Sequence, residues 1–345
     1  MNFIQILDTF FIATIVTYLL TPFVKVLAVR LGYLDHPKDN KVHAHPTPLL
    51  GGVAIAAGFI IAVLTKSQII ALPPVQAMLL GALILLVIGL IDDKMGMMPN
   101  FKLLGQFLAA MVVIKSGLLI GFMGDYYLNI IVTYVWIIGI TNSFNLLDNM
   151  NGLSAGISAI SALFFGIISY MSGQPVITAI ALALSGSSLG FLRYNFPKAS
   201  LFMGDSGSLI LGYILSVLAI MSGWKAAGIT NYTLVPILIL GYPVFDTTLV
   251  SIIRILEGRS IFQGGKDHSS HRLALLGFKR YKAVLVIYGI CIFLGIIAIA
   301  VLKVNFVIGA TLIFLALIVM VGLGIRLSFV DTKSFGRKKD SNGIR

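Results

Sequence analysis

The run Val75–Ile91 carries no charge and stops on two adjacent carboxylates, Asp92 and Asp93. Apolar runs of this kind recur along the chain, eleven in all, near residues 5–29, 50–64, 75–91, 101–119, 129–147, 153–171, 176–192, 206–222, 232–250, 283–302 and 306–325. A helix of about 20 apolar residues crosses the ~30 Å hydrocarbon core of a bilayer, because it satisfies its own main-chain polar groups. Hydrophobic residues make up 58% of the sequence and charged residues 11%, against roughly 25% charged in soluble domains. The mean hydropathy is +0.99. The expectation is therefore an all-α, polytopic transmembrane helical bundle of about eleven spans. Residues 1–327 form one integral-membrane domain, and 328–345 a basic cytoplasmic tail to which no chemistry is assigned. No internal repeat is evident, and no connection is long enough for a separate soluble domain.

Charge placement sets the orientation. If the loops alternate sides, 21 Lys and Arg fall on one face and only Lys66, Lys115, Lys225 and Lys303 on the other. By the positive-inside rule the N-terminus is outside and the C-terminus cytoplasmic. The net charge of +12 is then explained by topology and attraction to anionic lipid, not by nucleic acid, for which no motif is present. The opening segment lacks a basic n-region and a small-residue cleavage site, so it is expected to be a retained span. The lone Cys291 excludes a disulfide framework and a cysteine-built metal site. All five histidines and eleven of the thirteen acids lie on the cytoplasmic side; only Asp8 and Asp125 are outside. Chemistry-capable side chains thus converge on one surface.

Four segments there draw attention. The Asp92-Asp93 pair reads either as solvated caps on a span that has reached water or as a site for a cation, since adjacent carboxylates raise each other's pKa unless one lies between them. Asn142–Gly152 (NSFNLLDNMNG) places Asn142, Asn145 and Asn149 on one helical face beside Asp148. Carboxamides offer a donor and an acceptor together, as a nucleobase requires, although capping and a turn account for one or two of them. Leu201–Leu209 (LFMGDSGSL) puts Asp205 before small residues at a helix start. There it serves either as an N-cap or as a hard oxygen ligand for magnesium, with Phe202 placed to stack on a base. The Lys of a P-loop is missing. Gly264–Leu273 (GGKDHSSHRL) sets His268 and His271 three apart, with Lys266 and Arg272 alongside. Two nitrogen donors without a thiolate are weak for zinc, and the flanking cations read better as a phosphate clamp, with Arg272 able to bind an oxyanion bidentately. The first loop adds Lys38, Lys41, His43 and His45. Together these groups suggest phosphate chemistry with a metal.

The chain resembles the polyprenyl-phosphate N-acetylhexosamine-1-phosphate transferases. Their members start teichoic acid, O-antigen, enterobacterial polysaccharide and peptidoglycan lipid intermediates. The likeness runs in order through LDHPKDNKVHAHPTPLLGGVAI, IDD, FKLLGQ, NSFNLLDNMNGLSAG, RYNFPKASLFMGDSGSL, PVFDTTLVSIIR and DHSSHRL. The resemblance implies Asp92 and Asp93 at the catalytic centre, Asp205 as magnesium ligand with Asn145 as a second metal contact, and manganese as an alternative ion. It implies Asn142, Asp148, Asn151, Asn195 and Phe202 in the nucleotide pocket, His268, His271 and Arg272 on the diphosphate, and His45 and Lys102 as further substrate contacts. Gly96, Asn151, His45 and Ser270 depart from commoner family residues. The implied partners are a UDP-N-acetylhexosamine, undecaprenyl phosphate and membrane lipid, in a bacterial cytoplasmic membrane with the site facing the cytoplasm. Relatives can dimerise, which leaves a homodimer open. The rival readings are a phospho-MurNAc-pentapeptide transferase of the same family and a secondary transporter. The spaced DHSSHRL, in place of three consecutive histidines, points to the simpler hexosamine branch. Transporter sites sit nearer the midplane and often between repeats.

Overall fold

The computed structural model describes residues 1–36, 46–223, 231–260 and 265–332. The described chain is helical almost throughout: Phe3–Leu31 (α1), Gly51–Leu64 (α2), Ser67–Ile70 (α3), Pro73–Met95 (α4), Pro99–Lys115 (α5), Tyr126–Leu147 (α6), Leu153–Met171 (α7), Pro175–Asn195 (α8), Gly204–Gly223 (α9), Asn231–Ile239 (α10), Gly241–Leu256 (α11), Ser269–Leu275 (α12), Arg280–Leu302 (α13) and Phe306–Ser328 (α14). A two-residue antiparallel pair, Leu34–Asp35 (β1) with Thr47–Pro48 (β2), closes the first loop. Each of the eleven apolar runs has become helix. Eight helices are long and apolar enough to cross a membrane among the described residues, or nine if α10 and α11 count as one bent span. The shortfall from eleven has a simple cause. α2 has 14 residues and α5 has 17; at 1.5 Å per residue they rise about 21 and 26 Å, short of the ~30 Å core.

The run 232–250, expected as one span, bends by 67° between α10 and α11. Pro243 has no N–H to give the carbonyl four residues back, that of Ile239. A carbonyl freed in an apolar interior needs another donor, and the Ser161 hydroxyl of α7 supplies it at 3.2 Å. α1 solves the same problem at Pro22, where the freed Tyr18 carbonyl accepts from the Tyr194 hydroxyl of α8 at 3.1 Å.

The core is organised around α9, whose apolar window is 94% buried against 17% for α14. α9 packs on α2, α4, α6 and α7. Its start lies against α4: a β-carbon on Gly89 would come within 2.3 Å of the Ser206 Cα. Only glycine permits that approach, and it brings the end of α4, with its two acids, onto the first turn of α9. The loop before α9 is stitched to the start of α2. Phe202 N–H donates to Pro48 O (2.8 Å), and the Gly51 and Gly52 amides donate to the carbonyls of Phe202 (3.0 Å) and Met203 (2.9 Å). PTPLLGG and LFMGDSGSL, far apart in sequence, are therefore one structural unit. The tail's first residues are less independent than the sequence suggested, since the carbonyls of Ser328 and Val330 are bound by Arg272.

Candidate active site

The ends of α4 and α6 and the starts of α5 and α9 meet at one end of the bundle, and their polar side chains form one network. The two adjacent acids have separate tasks. Asp93 reaches across to α9, where its carboxylate accepts the amides of Asp205 (2.7 Å) and Ser206 (3.1 Å). The first amides of a helix have no partner within it, and a carboxylate there also meets the positive end of the helix dipole. Gly204 makes room for this contact: its φ is +74°, and a β-carbon there would come within 2.5 Å of an Asp93 oxygen. Asp92 instead accepts the Met97 amide at 2.6 Å and lies 2.5 Å from the Lys102 ammonium.

Lys102 also binds Asp205, so one ammonium bridges two carboxylates from different helices. Asn145 completes this corner, its amide touching the Asp205 carboxylate and donating to Ser208 Oγ at 3.0 Å. Asp148, just beyond the end of α6, has its carboxyl pushed up to about 8 by burial, reinforced by the charges of Asp205 and Asp93. The cluster thus carries more negative charge than Lys102 balances, and its members are hard oxygen donors. Among the described residues no group of three His, Cys, Asp or Glu is placed to hold a metal ion. Magnesium does not need one, because it commonly takes one or two carboxylates and completes its shell with water and substrate oxygens. The donor set around Lys102 fits that requirement.

Other residues expected at the site are already occupied by the protein. Asn142 exchanges hydrogen bonds with Gln106 (2.7 and 3.2 Å) and donates to Ile138 O at 3.0 Å, locking α5 to α6. Buried Asn195 accepts from the Gly152 amide at 2.6 Å and donates to Leu201 O at 2.9 Å. It ties the turn after α6 to the loop before α9. Asn151 donates to Pro197 O at 3.3 Å. Phe202 is half-buried, and its main chain holds β2. These side chains shape the rim that the nucleotide was expected to touch. His45, with Lys38, Lys41 and His43, lies outside the described residues.

The histidine segment joins the rim through Ser270, whose hydroxyl donates to Asn149 Oδ1 at 2.7 Å. His268 and His271 are both buried. Burial, then the charges of His268, Arg280 and Lys266, holds His271 down at about 4, so it is neutral at pH 7. Arg272, expected as an oxyanion clamp, is 2% exposed. It donates to the carbonyls of Asp267 (2.8 Å), Leu327 (3.1 Å), Ser328 (3.4 Å) and Val330 (2.9 Å). In this structure it fastens the end of α14 to the histidine segment.

Sequence reasoning missed Gln106, Asp246, Arg254 and Asp267. Asp246 and Arg254 had a readable signal: with Tyr242 and Val250 they recur every four residues along the buried stripe of α11.

Comparison with known proteins bears on this geometry. Residues 75–223 match the model of glycosyl transferase family 4. The chain is 36% identical over 327 residues to a probable undecaprenyl-phosphate N-acetylglucosaminyl 1-phosphate transferase of Bacillus subtilis, covering 92% of this chain and 90% of the relative. It is 33% identical to a decaprenyl-phosphate N-acetylglucosaminephosphotransferase of Mycolicibacterium smegmatis, covering 83% and 79% of the two chains. A phospho-N-acetylmuramoyl-pentapeptide-transferase of Moorella thermoacetica is 33% identical, covering 85% and 97%.

Proposed function

The chain belongs to glycosyl transferase family 4, and from that premise we propose that it transfers an N-acetylhexosamine 1-phosphate from a UDP-sugar to undecaprenyl phosphate, releasing UMP. N-acetylglucosamine 1-phosphate is the preferred group, in keeping with the names of the Bacillus and Mycolicibacterium relatives. The product is the first lipid-diphosphate-sugar intermediate of a cell-envelope polymer. The observation that carries the reading is the meeting of Asp92 and Asp205 on Lys102, beside Asn145, where an apolar bundle ends.

A phosphate oxygen of the lipid attacks the sugar-linked phosphorus of the UDP-sugar. A new P–O bond forms there, and the bond to the bridging oxygen breaks with its electron pair leaving on UMP. The second pKa of a phosphate monoester is about 6, so most of the nucleophile is already a dianion at pH 7 and needs no strong base. What the protein must supply is position and charge neutralisation. Lys102 offers an ammonium to the diphosphate. Asp93 holds the start of α9 and thereby aims Asp205, while Asp92 holds Lys102. Asp205, with Asn145 and Asp92 beside it, would hold Mg²⁺, with Mn²⁺ as a substitute, and the bound ion would neutralise developing charge on the diphosphate.

The membrane topology proposed with this function has the N-terminus outside and the site at the cytoplasmic edge of a bacterial inner membrane. The excess of Lys and Arg in the loops on the site's side supports it. UMP release with undecaprenyl phosphate, measured against a panel of UDP-sugars, tests the reading. UDP-N-acetylglucosamine should be the fastest donor. Preference for UDP-MurNAc-pentapeptide would move the chain to the muramoyl branch. Liposome uptake of a solute without UMP release from any sugar would contradict the proposal.

A further inference from the structure

The histidine segment is gripped along its length by one face of α11. Asp246 and Arg254 lie two turns apart on the buried stripe and are 0% and 1% exposed. Arg254 binds the Asp267 carboxylate through Nε (2.9 Å) and Nη2 (2.7 Å). Asp246 accepts the Ser269 amide at 2.7 Å, receives the Ser269 hydroxyl, and lies 2.7 Å from His268 Nδ1. The Tyr242 hydroxyl, one turn earlier, meets Ser269 Oγ at 2.6 Å. Two ions of opposite sign on one helix thus hold three successive residues. Buried charges at a membrane edge are costly and seldom kept for stability alone.

Anchoring explains part of this arrangement. The Arg254–Asp267 pair and the Ser269 amide bond would hold α12 on α11 by themselves. They do not require a carboxylate on an imidazole nitrogen. That contact does something different: a carboxylate only accepts, so Nδ1 must carry a proton, and the tautomer and orientation of the ring are fixed. Metal-binding and catalytic histidines are commonly set in this way by a second carboxylate. Among the described residues the His268 ring is hydrogen-bonded by Asp246, through Nδ1, which leaves Nε2 for another group.

We propose that Asp246 is a positioning residue for the transfer, holding His268 with its proton on Nδ1 so that Nε2 is presented to the diphosphate of the donor. This rests on the transferase reading above. Nε2 is the ring nitrogen left for the donor, and Asp246, itself held by the Ser269 amide and hydroxyl, fixes the ring that carries it. Asp246 acts through His268 and touches no substrate itself.

The test compares His268→Gln, Asp246→Asn and the double variant in the full-length, detergent-purified chain. In Asp246→Asn the amide oxygen keeps the Ser269 N–H, while its NH₂ faces Nδ1 and moves the ring proton to Nε2. Each single variant should lower kcat by roughly 10–100-fold, in line with other losses of an orienting partner. KM should change little, and the double variant should be no slower than the slower single. Losses that multiply, or full turnover in either single variant, would overturn the proposal. A readout apart from activity is the ¹⁵N spectrum of labelled histidines, with His268 assigned by its loss in His268→Gln. Wild-type His268 should be protonated at Nδ1, and finding the Nε2–H form would overturn the inference even if Asp246→Asn did not fold. UMP release by the wild-type chain in the same assay tests the transferase reading separately.

Discussion

Asp93 caps a helix to which it does not belong: its carboxylate holds the amides of Asp205 and Ser206 at 2.7 and 3.1 Å, across 112 and 113 residues of sequence. Both oxygens are engaged, and both bonds are charge-assisted. The residue is thereby a device for placing Asp205. Its neighbour Asp92 faces Lys102, where cation and substrate chemistry are expected. The adjacent acids therefore separate into one that builds the site and one that lines it.

That separation predicts different responses to substitution. Asp93→Ala leaves two helix-end amides without acceptors and should lower unfolding stability by about 1–3 kcal/mol, along with turnover. Asp93→Asn retains one acceptor and should cost less stability. Asp92→Asn should reduce turnover while moving the unfolding midpoint little, since an amide oxygen can still accept the Met97 N–H and Lys102 keeps Asp205 as a partner. Thermal unfolding in detergent, set beside UMP release, checks all three; equal destabilisation by Asp92→Asn and Asp93→Ala would refute the separation.

Close approach at Gly89 gives a second prediction, free of charge effects. Gly89→Ala places a methyl group 2.3 Å from the Ser206 Cα and should force α4 from α9, reducing turnover at least tenfold. Gly139→Ala and Gly289→Ala, where a β-carbon meets nothing within 4 Å, should be neutral or gain up to about 1 kcal/mol from helix propensity. Equal activity in all three variants would show that the α4–α9 contact does not control the site.

Asp148 gives a pH dependence. Its carboxyl is raised from 3.8 to about 8, so the folded protein holds a proton that the unfolded chain releases. Its contribution is complete below about pH 4 and is lost as pH rises toward 8. In chelator, Asp148→Asn should therefore raise the unfolding midpoint relative to wild type at pH 8, with the advantage shrinking toward pH 5. An advantage that grows on acidification would contradict the sign.

The amide pair between α5 and α6 is open to a double-mutant cycle. Gln106 is 1% exposed and bonds Asn142 in both directions. Gln106→Leu and Asn142→Leu should each destabilise by about 1–3 kcal/mol by orphaning the partner, and the double variant by less than their sum. Additive losses would mean that the amides act independently.

Much of this arrangement was legible in the sequence. Apolar runs mark the helices, and the acids and carboxamides that close or open them mark the residues that gather in the cluster. Asp92, Asp93, Lys102, Asn145 and Asp205 do meet. What the sequence hid was which partner each polar group takes. Asn142 and Asn195 look like free donors until a helix and a loop remote in sequence turn out to hold them. Arg272 looks like a phosphate ligand until the carbonyls at the end of α14 reach it. The bend at α10–α11 was blurred for a related reason: hydropathy registers the apolar run, not the carbonyl that Pro243 leaves to Ser161.

The most direct measurement is UMP release from UDP-N-acetylglucosamine and undecaprenyl phosphate during a Mg²⁺ titration of chelator-stripped protein, for wild type and Asp205→Asn. Wild-type turnover should vanish in chelator and return with Mg²⁺, while Asp205→Asn should stay at least a hundredfold slower at every Mg²⁺ concentration. Full wild-type turnover in chelator, or complete rescue of the variant by Mg²⁺, would contradict the assignment of this acidic corner as the seat of the transfer.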